Sequence, residues 1–282
     1  MEALLRQRGL HTVCESALCP NLGECFGKGT ATFLIMGDVC TRNCGFCGVT
    51  SSTPGPLDHG EPAQVADAVA RLKLRHVVVT SVTRDDLPDG GAGHYVSTIR
   101  AIRAAVPAAT IEVLVPDFAG VPEHVDLVLA EEPDVFNHNL ETVPRLYPQV
   151  RPQAVYERSL DVLHRAAARE ADRGAAPGGS IAIIVKTGLM VGLGETPDEV
   201  AQVMADARSV GVDMVTIGQY LRPSSCHLPV VEYVHPDTFE EYRVRGEAMG
   251  LQVHSAPFVR SSFHAGESLD EAKERGVQRP AG

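Results

Sequence analysis

The stretch TATFLIMGDVCTRNCGFC, residues 30–47, joins an apolar run to three closely spaced cysteines. Its first part, TATFLIMGDV (30–39), predicts a strand that ends directly before Cys40. The next apolar run, HVVVTSV (76–82), is rich in β-branched residues, which is typical of a strand buried on both faces. Four further apolar runs predict strands at 110–118, 134–141, 180–192 and 214–221.

Helical patterns alternate with these strands. Helices are predicted at 62–74, 93–106, 121–131 and 153–170, after the capping box Thr196-Pro197-Asp198-Glu199, and from a cap at Asp237 or Thr238 to Met249. Six strand–helix units in succession, without a hairpin signal, predict a parallel α/β sheet with right-handed crossovers. Because eight units close a full barrel, six favour a partial (β/α)6 parallel barrel, although a doubly wound sheet gives the same pattern.

The pattern divides the chain into an N-terminal cysteine-rich extension (1–29), a partial barrel (30–252) and a C-terminal segment (253–282). Ligands of parallel α/β folds bind at the carboxyl ends of the strands. Polar residues at those ends are therefore expected to share one rim: Cys40, Thr80, Ser81, Asn139, Glu141 and Glu195. The charged residues in the loop after the second strand, Arg84 to Asp86, are interpreted as solvated.

Composition excludes several classes of function. The net charge of −11, the absence of Trp and the 5% aromatic content argue against a nucleic-acid partner. No apolar run is long enough to span a membrane, and the first residues lack the apolar core of a secretory signal. A cytoplasmic location with reduced thiols follows as an expectation, so the seven cysteines are interpreted as ligands or nucleophiles.

Cys40, Cys44 and Cys47 form a C-x3-C-x2-C loop. Thiolates suit iron–sulfur clusters and zinc. A structural zinc site normally needs four ligands, whereas three cysteines in one loop leave one iron of a cubane cluster open. The ligand count therefore favours a cluster with an open iron, and a zinc loop is the alternative.

A second triplet precedes the first. Cys14, Cys19 and Cys25 have the spacing C-x4-C-x5-C, which matches no common zinc signature. Such an incomplete set needs a fourth ligand from elsewhere in the chain or has an open iron of its own.

The loop CTRNCGFC resembles the hallmark of the radical S-adenosylmethionine (radical SAM) superfamily, C-x3-C-x-aromatic-C, with Phe46 at the aromatic position. The resemblance implies that the open iron of a [4Fe–4S] cluster binds the amino and carboxylate groups of S-adenosylmethionine. In that superfamily, one electron from the cluster breaks a carbon–sulfur bond and yields a 5′-deoxyadenosyl radical, while the protein excludes water and positions the substrate.

A longer resemblance is to the lipoyl synthases. It is carried, in family order, by LHTVCESALCPNLGEC (10–25), TSVTRDDLPDGGAGHY (80–95), VPDF (115–118), NHNLETV (137–143), KTGLMVGLGET (186–196), TIGQYL (216–221) and HSAPFVRSSFHA (254–265). It implies that Cys14, Cys19 and Cys25 hold a second [4Fe–4S] cluster and that Ser262, in Arg260-Ser261-Ser262-Phe263, donates the fourth ligand. Phe263 stands where the family has tyrosine.

The same resemblance implies the activity. Two sulfur atoms from the second cluster are inserted at C6 and C8 of a protein-bound octanoyl group. The implied partners are octanoylated lipoyl-carrier domains (E2 subunits and the glycine cleavage H protein), a low-potential ferredoxin or flavodoxin, and a cluster-carrier protein. The alternatives are another two-cluster radical enzyme, such as a methylthiotransferase or a peptide-modifying dehydrogenase, and a non-catalytic electron carrier.

Several residues are candidates for binding S-adenosylmethionine. Lys186 lies in an apolar strand, where it either holds the cofactor's carboxylate or snorkels at the strand end. Glu195 follows the Gly-rich turn 192–194, and Asn139 and Glu141 are placed at the ribose or in local caps. Phe46, Thr80 and Ser81 complete the predicted set. Cys226 is assigned to neither cluster.

Overall fold

The computed structural model describes residues 10–12, 21–27, 30–174 and 183–275. Within these residues the strands are β1 (His11–Thr12), β2 (Thr30–Ile35), β3 (Val39–Cys40), β4 (Thr50–Ser51), β5 (His76–Ser81), β6 (Thr110–Leu114), β7 (Val135–Asn137), β8 (Ile184–Val191), β9 (Met214–Gln219) and β10 (Gln252–Ser255). The α-helices are α1 (Leu22–Gly27), α2 (Glu61–Leu72), α3 (Ala92–Ala105), α4 (Pro122–Leu129), α5 (Tyr147–Val150), α6 (Tyr156–Gly174), α7 (Pro197–Ser209), α8 (Pro236–Ala248) and α9 (Ala265–Arg275).

Eight of the strands form one sheet in the order β1-β2-β5-β6-β7-β8-β9-β10. Every pair from β2 to β10 is parallel, and the sheet ends at β1 and β10 without closing. The predicted partial parallel barrel is therefore confirmed. Two strands of this sheet were not predicted: the antiparallel edge strand β1 and a seventh parallel strand, β10, which pairs with β9. The short strand β4, which pairs with β3 in a separate two-stranded sheet, was not predicted either. All three are too short to show a clear hydrophobic period.

The two faces of the curved sheet differ in polarity because successive side chains point to opposite faces. Residues such as Val77, Val79, Ile111 and Val113 join the main apolar core, which lies against the helices. The alternate positions carry buried polar groups on the interior face: Thr32, His76, Thr80, Glu112, Asn137, Lys186 and Thr216. A barrel interior with this composition can bind a polar ligand.

The C-terminal helix α9 covers one end of that interior. Leu269 and Ala272 form a separate buried cluster with Val135, Ile184 and Met214, which lie at or near the beginnings of their strands. The opposite end, where the strands finish, carries the cysteine loop. No helix within the described ranges is long and apolar enough to cross a membrane.

Local signals predicted one helix start correctly and another wrongly. Thr196 and Glu199 form the predicted capping box: the Thr196 hydroxyl accepts from the Glu199 amide, and the Glu199 carboxylate accepts from the Thr196 amide. Helix α8, however, begins at Pro236, and its cap is His235, whose side chain accepts from the Asp237 amide. Asp237 already lies in the first turn, because proline favours the first helical position.

Candidate active site

The loop with Cys40, Cys44 and Cys47 follows β2 and is bound by three other segments. The Thr41 amide donates to the Thr83 carbonyl (3.1 Å), and the Gly45 amide donates to the Val150 carbonyl (2.8 Å). From the third segment, the Leu228 amide donates to the Gly45 carbonyl (3.0 Å). The His227 ring nitrogen Nε2 lies 3.0 Å from the Cys47 carbonyl oxygen. Backbone hydrogen bonds from distant parts of the chain thus shape the loop.

Arg42, inside the cysteine loop, is held by two aspartates. Its Nε and Nη2 atoms donate to the Asp85 carboxylate at 2.7 and 2.8 Å, and Nη2 also donates to Asp117 at 2.7 Å. Burial opposes ionisation of Asp117, but the hydrogen bond and charge of Arg42 outweigh it and lower the pKa of Asp117 to about 2. The interpretation of Asp85 as merely solvated is therefore wrong. Arg84 is also buried, with its guanidinium on Asp86.

The thiols of the loop are partly buried, and burial changes their protonation. Desolvation raises the pKa of Cys44, opposed by the positive charge of Arg151. Desolvation likewise raises the pKa of Cys47 to about 11. Ligation by a metal cluster needs thiolates, so cluster binding displaces protons from this loop.

The donor set fits an iron–sulfur cluster. Three thiols lie in one loop of eight residues, and Cys40 Sγ also accepts weak hydrogen bonds from the amides of Arg42 (3.4 Å) and Thr83 (3.3 Å). Among the described residues, no three His, Cys, Asp or Glu side chains converge as they would around one metal ion. The chemistry of this donor set fits a cubane, in which three thiolates each bind a different iron, whereas a structural zinc ion normally takes four protein ligands.

The earlier triplet is described only at Cys25, which is partly buried on α1; Cys14 and Cys19 lie outside the described residues. One contact joins this helix to the C-terminal segment: the Asn21 side-chain amide donates to the Phe258 carbonyl at 2.7 Å. The contact brings together parts of the chain that are 237 residues apart. Cys25 and the tract Arg260–Phe263 therefore belong to the same region of the molecule.

Lys186 is one of the most buried side chains, with 1% of its surface exposed. Its ammonium donates to both carboxylate oxygens of Glu112, at 3.1 and 3.3 Å. Burial opposes the ionisation of Glu112, but the Lys186 charge, the nearby His76 ring (Nε2 3.6 Å from the carboxylate) and a hydrogen bond from Asn137 lower its pKa to about 2. Lys186 does not snorkel: it belongs to an ion pair between β6 and β8.

Breaking that pair is expected to destabilise the fold. Lys186→Met leaves the Glu112 charge buried without a partner, which we expect to lower the free energy of unfolding by about 3–5 kcal/mol at pH 7. Because the folded-state pKa of Glu112 lies below its ordinary value, the stabilisation is present above about pH 4 and is lost as the pH falls towards 2. Urea unfolding followed by circular dichroism measures both effects.

The matched control is the double variant Glu112→Gln/Lys186→Met. It removes both charges, so it is expected to regain a large part of the lost stability. A double variant no more stable than Lys186→Met would show that the charge imbalance is not the cause.

Asn139 and Glu141 lie where β7 ends. The Asn139 side-chain amide donates to the Glu141 carboxylate at 3.1 Å, and burial raises the pKa of Glu141, opposed by nearby Arg151. Arg151, which sequence patterns did not single out, donates to the backbone carbonyls of Asn139 (2.7 Å) and Leu140 (3.2 Å). Glu141 has a left-handed backbone (φ 66°), a rare conformation for a residue with a side chain.

The other predicted cofactor residues also lie at the ends of strands. Glu195 accepts from the amides of Gly192 (2.5 Å) and Leu193 (3.0 Å), so its carboxylate orders the Gly-rich turn. The Thr80 hydroxyl donates to the Leu114 carbonyl at 2.9 Å, and the Ser81 hydroxyl accepts from Tyr95 at 3.0 Å. Phe46 is partly buried and packs against the main core. Cys226 is exposed, with its sulfur 2.9 Å from the Ser224 hydroxyl.

Comparison with known proteins decides the family. The profile described as Radical SAM superfamily matches residues 34–207, more than half of the chain. Lipoyl synthase of Caldanaerobacter subterraneus subsp. tengcongensis is 54% identical over 274 residues, which cover 97% of this chain and 93% of that protein. Lipoyl synthase of Nitratidesulfovibrio vulgaris is 56% identical over 264 residues, covering 93% and 85%. The chain belongs to the lipoyl synthases.

Membership in the lipoyl synthases confirms the main functional expectations. The family is a group of radical SAM sulfurtransferases, and the superfamily uses a [4Fe–4S] cluster with S-adenosylmethionine. The other two-cluster enzymes and the electron carrier are therefore set aside. Among solved structures, methylornithine synthase superposes with a TM-score of 0.54 at 11% identity, covering 90% of this chain and 83% of that one. At that identity the likeness concerns the fold alone.

Proposed function

We propose that this lipoyl synthase binds a second, auxiliary [4Fe–4S] cluster through Cys14, Cys19, Cys25 and Ser262, and that the cluster supplies the inserted sulfur. The observation that carries the proposal is the bond between Asn21 and the Phe258 carbonyl, which joins the segment of Cys25 to the segment of Ser262. Ser262 is partly buried, and its hydroxyl makes no hydrogen bond to any described residue. It is therefore available as a ligand.

The iron–sulfur cluster and S-adenosylmethionine supply the radical chemistry, and the protein residues supply binding and positioning. When bound, the cluster at Cys40, Cys44 and Cys47 supplies, with S-adenosylmethionine, a radical that removes hydrogen from C6 and C8 of the octanoyl group. The chain fixes the cysteine loop through Arg42 and would exclude water from the sheet interior, and Ser262 in the C-terminal segment would hold the auxiliary cluster that supplies the sulfur.

The contacts to S-adenosylmethionine are proposed at the rim. We propose that Asn139 and Glu141 bind the ribose hydroxyls and that Phe46, Thr80, Ser81 and Glu195 also contribute to binding S-adenosylmethionine. Lys186 is committed to Glu112, so we propose that it orders the interior polar side chains in place of binding the cofactor's carboxylate. The positive charge of Arg151 acts on Cys44, where it opposes the rise in pKa that burial causes.

The proposed partners follow from the chemistry of the family. The substrate is an octanoyl group on a carrier domain, such as an E2 subunit or the glycine cleavage H protein. A low-potential ferredoxin or flavodoxin provides electrons, and a cluster-carrier protein rebuilds the consumed cluster.

Ser262→Cys tests the ligand assignment. A thiolate holds iron more tightly than a serine oxygen, so we expect the auxiliary cluster to persist while sulfur insertion slows by about tenfold or more. Iron content and single-turnover formation of the lipoyl product measure the two effects. Ser255→Cys is the control, because Ser255 lies nearby in sequence and its hydroxyl has no hydrogen-bond partner among the described residues. Unchanged turnover in Ser262→Cys would remove Ser262 from the ligand set.

A further inference from the structure

Ser261, the residue before the proposed ligand, differs from Ser262 in its contacts. Its hydroxyl accepts a hydrogen bond from the Asn137 side-chain amide at 2.7 Å and donates one to Asn139 Oδ1 at 3.0 Å. These bonds span 124 and 122 residues of sequence. The Ser261 hydroxyl is thus hydrogen-bonded to two residues in and after β7, whereas the Ser262 hydroxyl has no hydrogen-bond partner among the described residues.

The route of the C-terminal segment explains how Ser261 reaches β7. After β10, the Ala256 amide donates to the Ile217 carbonyl and the Gln219 amide donates to the Pro257 carbonyl, both at 3.2 Å. The segment then passes so close to β9 that a Cβ atom on Gly218 would lie 2.0 Å from the Val259 carbonyl oxygen. Glycine at 218 is therefore required for this route across the interior face of the sheet.

The direction of the hydrogen bonds fixes each group in the series. Glu112, charged by its pairing with Lys186, only accepts, so Asn137 must turn its Nδ2 atom towards it (3.1 Å). The second hydrogen of Nδ2 then points at Ser261, whose own hydrogen goes to Asn139. Asn139 in turn donates to Glu141. Each side chain in this series of hydrogen bonds has only one allowed orientation, so the series holds Ser261 rigidly.

We propose that Ser261 is a positioning residue: its bridge between Asn137 and Asn139 fixes the C-terminal tract so that Ser262 is held at the auxiliary cluster. This inference rests on the proposed function, because it needs Ser262 to be a ligand. Ser261 itself does not touch the cluster; it acts through the turn of Arg260 to Phe263, in which the Phe263 amide donates to the Arg260 carbonyl at 2.9 Å.

The test compares Ser261→Ala, Ser261→Thr and Ser262→Ala in the full chain. Ser255→Ala is the matched control, since it removes a hydroxyl for which the described part of the chain offers no hydrogen-bond partner. The first readout is amide hydrogen exchange of residues 256–264 before cluster reconstitution. Ser261→Ala is expected to speed this exchange about tenfold, because two hydrogen bonds that hold the segment are lost. Ser261→Thr keeps the hydroxyl, so its exchange is expected to stay as slow as in the unmodified chain. Ser255→Ala is also expected to leave the exchange rate unchanged.

The second readout isolates the auxiliary cluster. The same variants are made in a chain whose Cys40, Cys44 and Cys47 are alanine, and the loss of iron to a chelator is timed after anaerobic reconstitution. Ser261→Ala and Ser262→Ala are both expected to lose iron about tenfold faster than their parent, and Ser255→Ala at the parent rate.

The outcomes separate this inference from the proposed function. If amide hydrogen exchange is unchanged in Ser261→Ala, the hydrogen-bond bridge does not hold the segment, and the inference is overturned at any rate of iron loss. A second outcome is that Ser261→Ala exchanges faster but loses iron at the rate of its parent, while Ser262→Ala loses iron faster. That outcome overturns the positioning role of Ser261 and leaves the ligand role of Ser262 in place. Parental iron loss in Ser262→Ala overturns the ligand role and the inference with it.

Discussion

A chain in which Cys40, Cys44 and Cys47 are all replaced by alanine is expected to form no 5′-deoxyadenosine and to retain about four of about eight iron atoms after anaerobic reconstitution. The loop supplies every protein ligand of the cluster that reduces S-adenosylmethionine, so nothing else in the chain substitutes for it. We assign the remaining iron to the proposed auxiliary cluster. Iron analysis and chromatography of the nucleoside products measure the two quantities.

Cys226→Ala is the control for this loss. It removes an exposed thiol that we assign to neither cluster, so both the iron content and 5′-deoxyadenosine formation are expected to stay at the level of the unmodified chain. Continued cleavage of S-adenosylmethionine by the triple variant would contradict the assignment of the loop.

Replacing Cys14, Cys19 and Cys25 by alanine is expected to have the complementary effect. About four iron atoms remain and 5′-deoxyadenosine is still formed, but no sulfur reaches the substrate, because the proposed sulfur source is missing. Mass spectrometry of an octanoyl-lysine peptide detects the addition of one or both sulfur atoms. Sulfur insertion by this variant would show that the sulfur comes from somewhere other than the N-terminal triplet.

Much of the fold could be predicted because its signals are local. The β-branched run at 76–82 and the capping box at Thr196 each depend on a few neighbouring residues, and both elements occur near the predicted positions. Strand β7 is shorter than predicted, since the chain leaves the sheet after Asn137 to form the rim. The short edge strands and the cap at His235 carry too little pattern to be predicted.

The ion pairs of the site were harder to predict because their partners lie far apart in sequence. Lys186 attracted notice as a charge in an apolar strand, and Glu112 in TIEVL has the same signal. Their pairing follows only when the strand register is known. Glu112 is aligned with Val135 and, through it, with Ile184, which places Lys186 two residues further along β8 on the same face of the sheet. Arg42 with Asp117, and Ser261 with Asn137, depend in the same way on tertiary folding.

The cysteines show the complementary case. Spacing alone separated two triplets and indicated an open iron for the later one, which the radical SAM match agrees with. The fourth ligand of the earlier triplet came only from the family resemblance, because no local pattern connects residue 25 with residue 262. The hydrogen bond from Asn21 to Phe258 joins the two segments, and the ligand role of Ser262 stays a prediction.

The most direct test of the central claim is one anaerobic reaction. The reconstituted chain is incubated with dithionite, S-adenosylmethionine and an octanoyl-lysine peptide, and the nucleoside and the peptide are measured together. The account predicts a dithiolated peptide and about two molecules of 5′-deoxyadenosine for each one formed, one for each carbon that loses hydrogen. Formation of 5′-deoxyadenosine without any sulfur on the peptide would contradict the account.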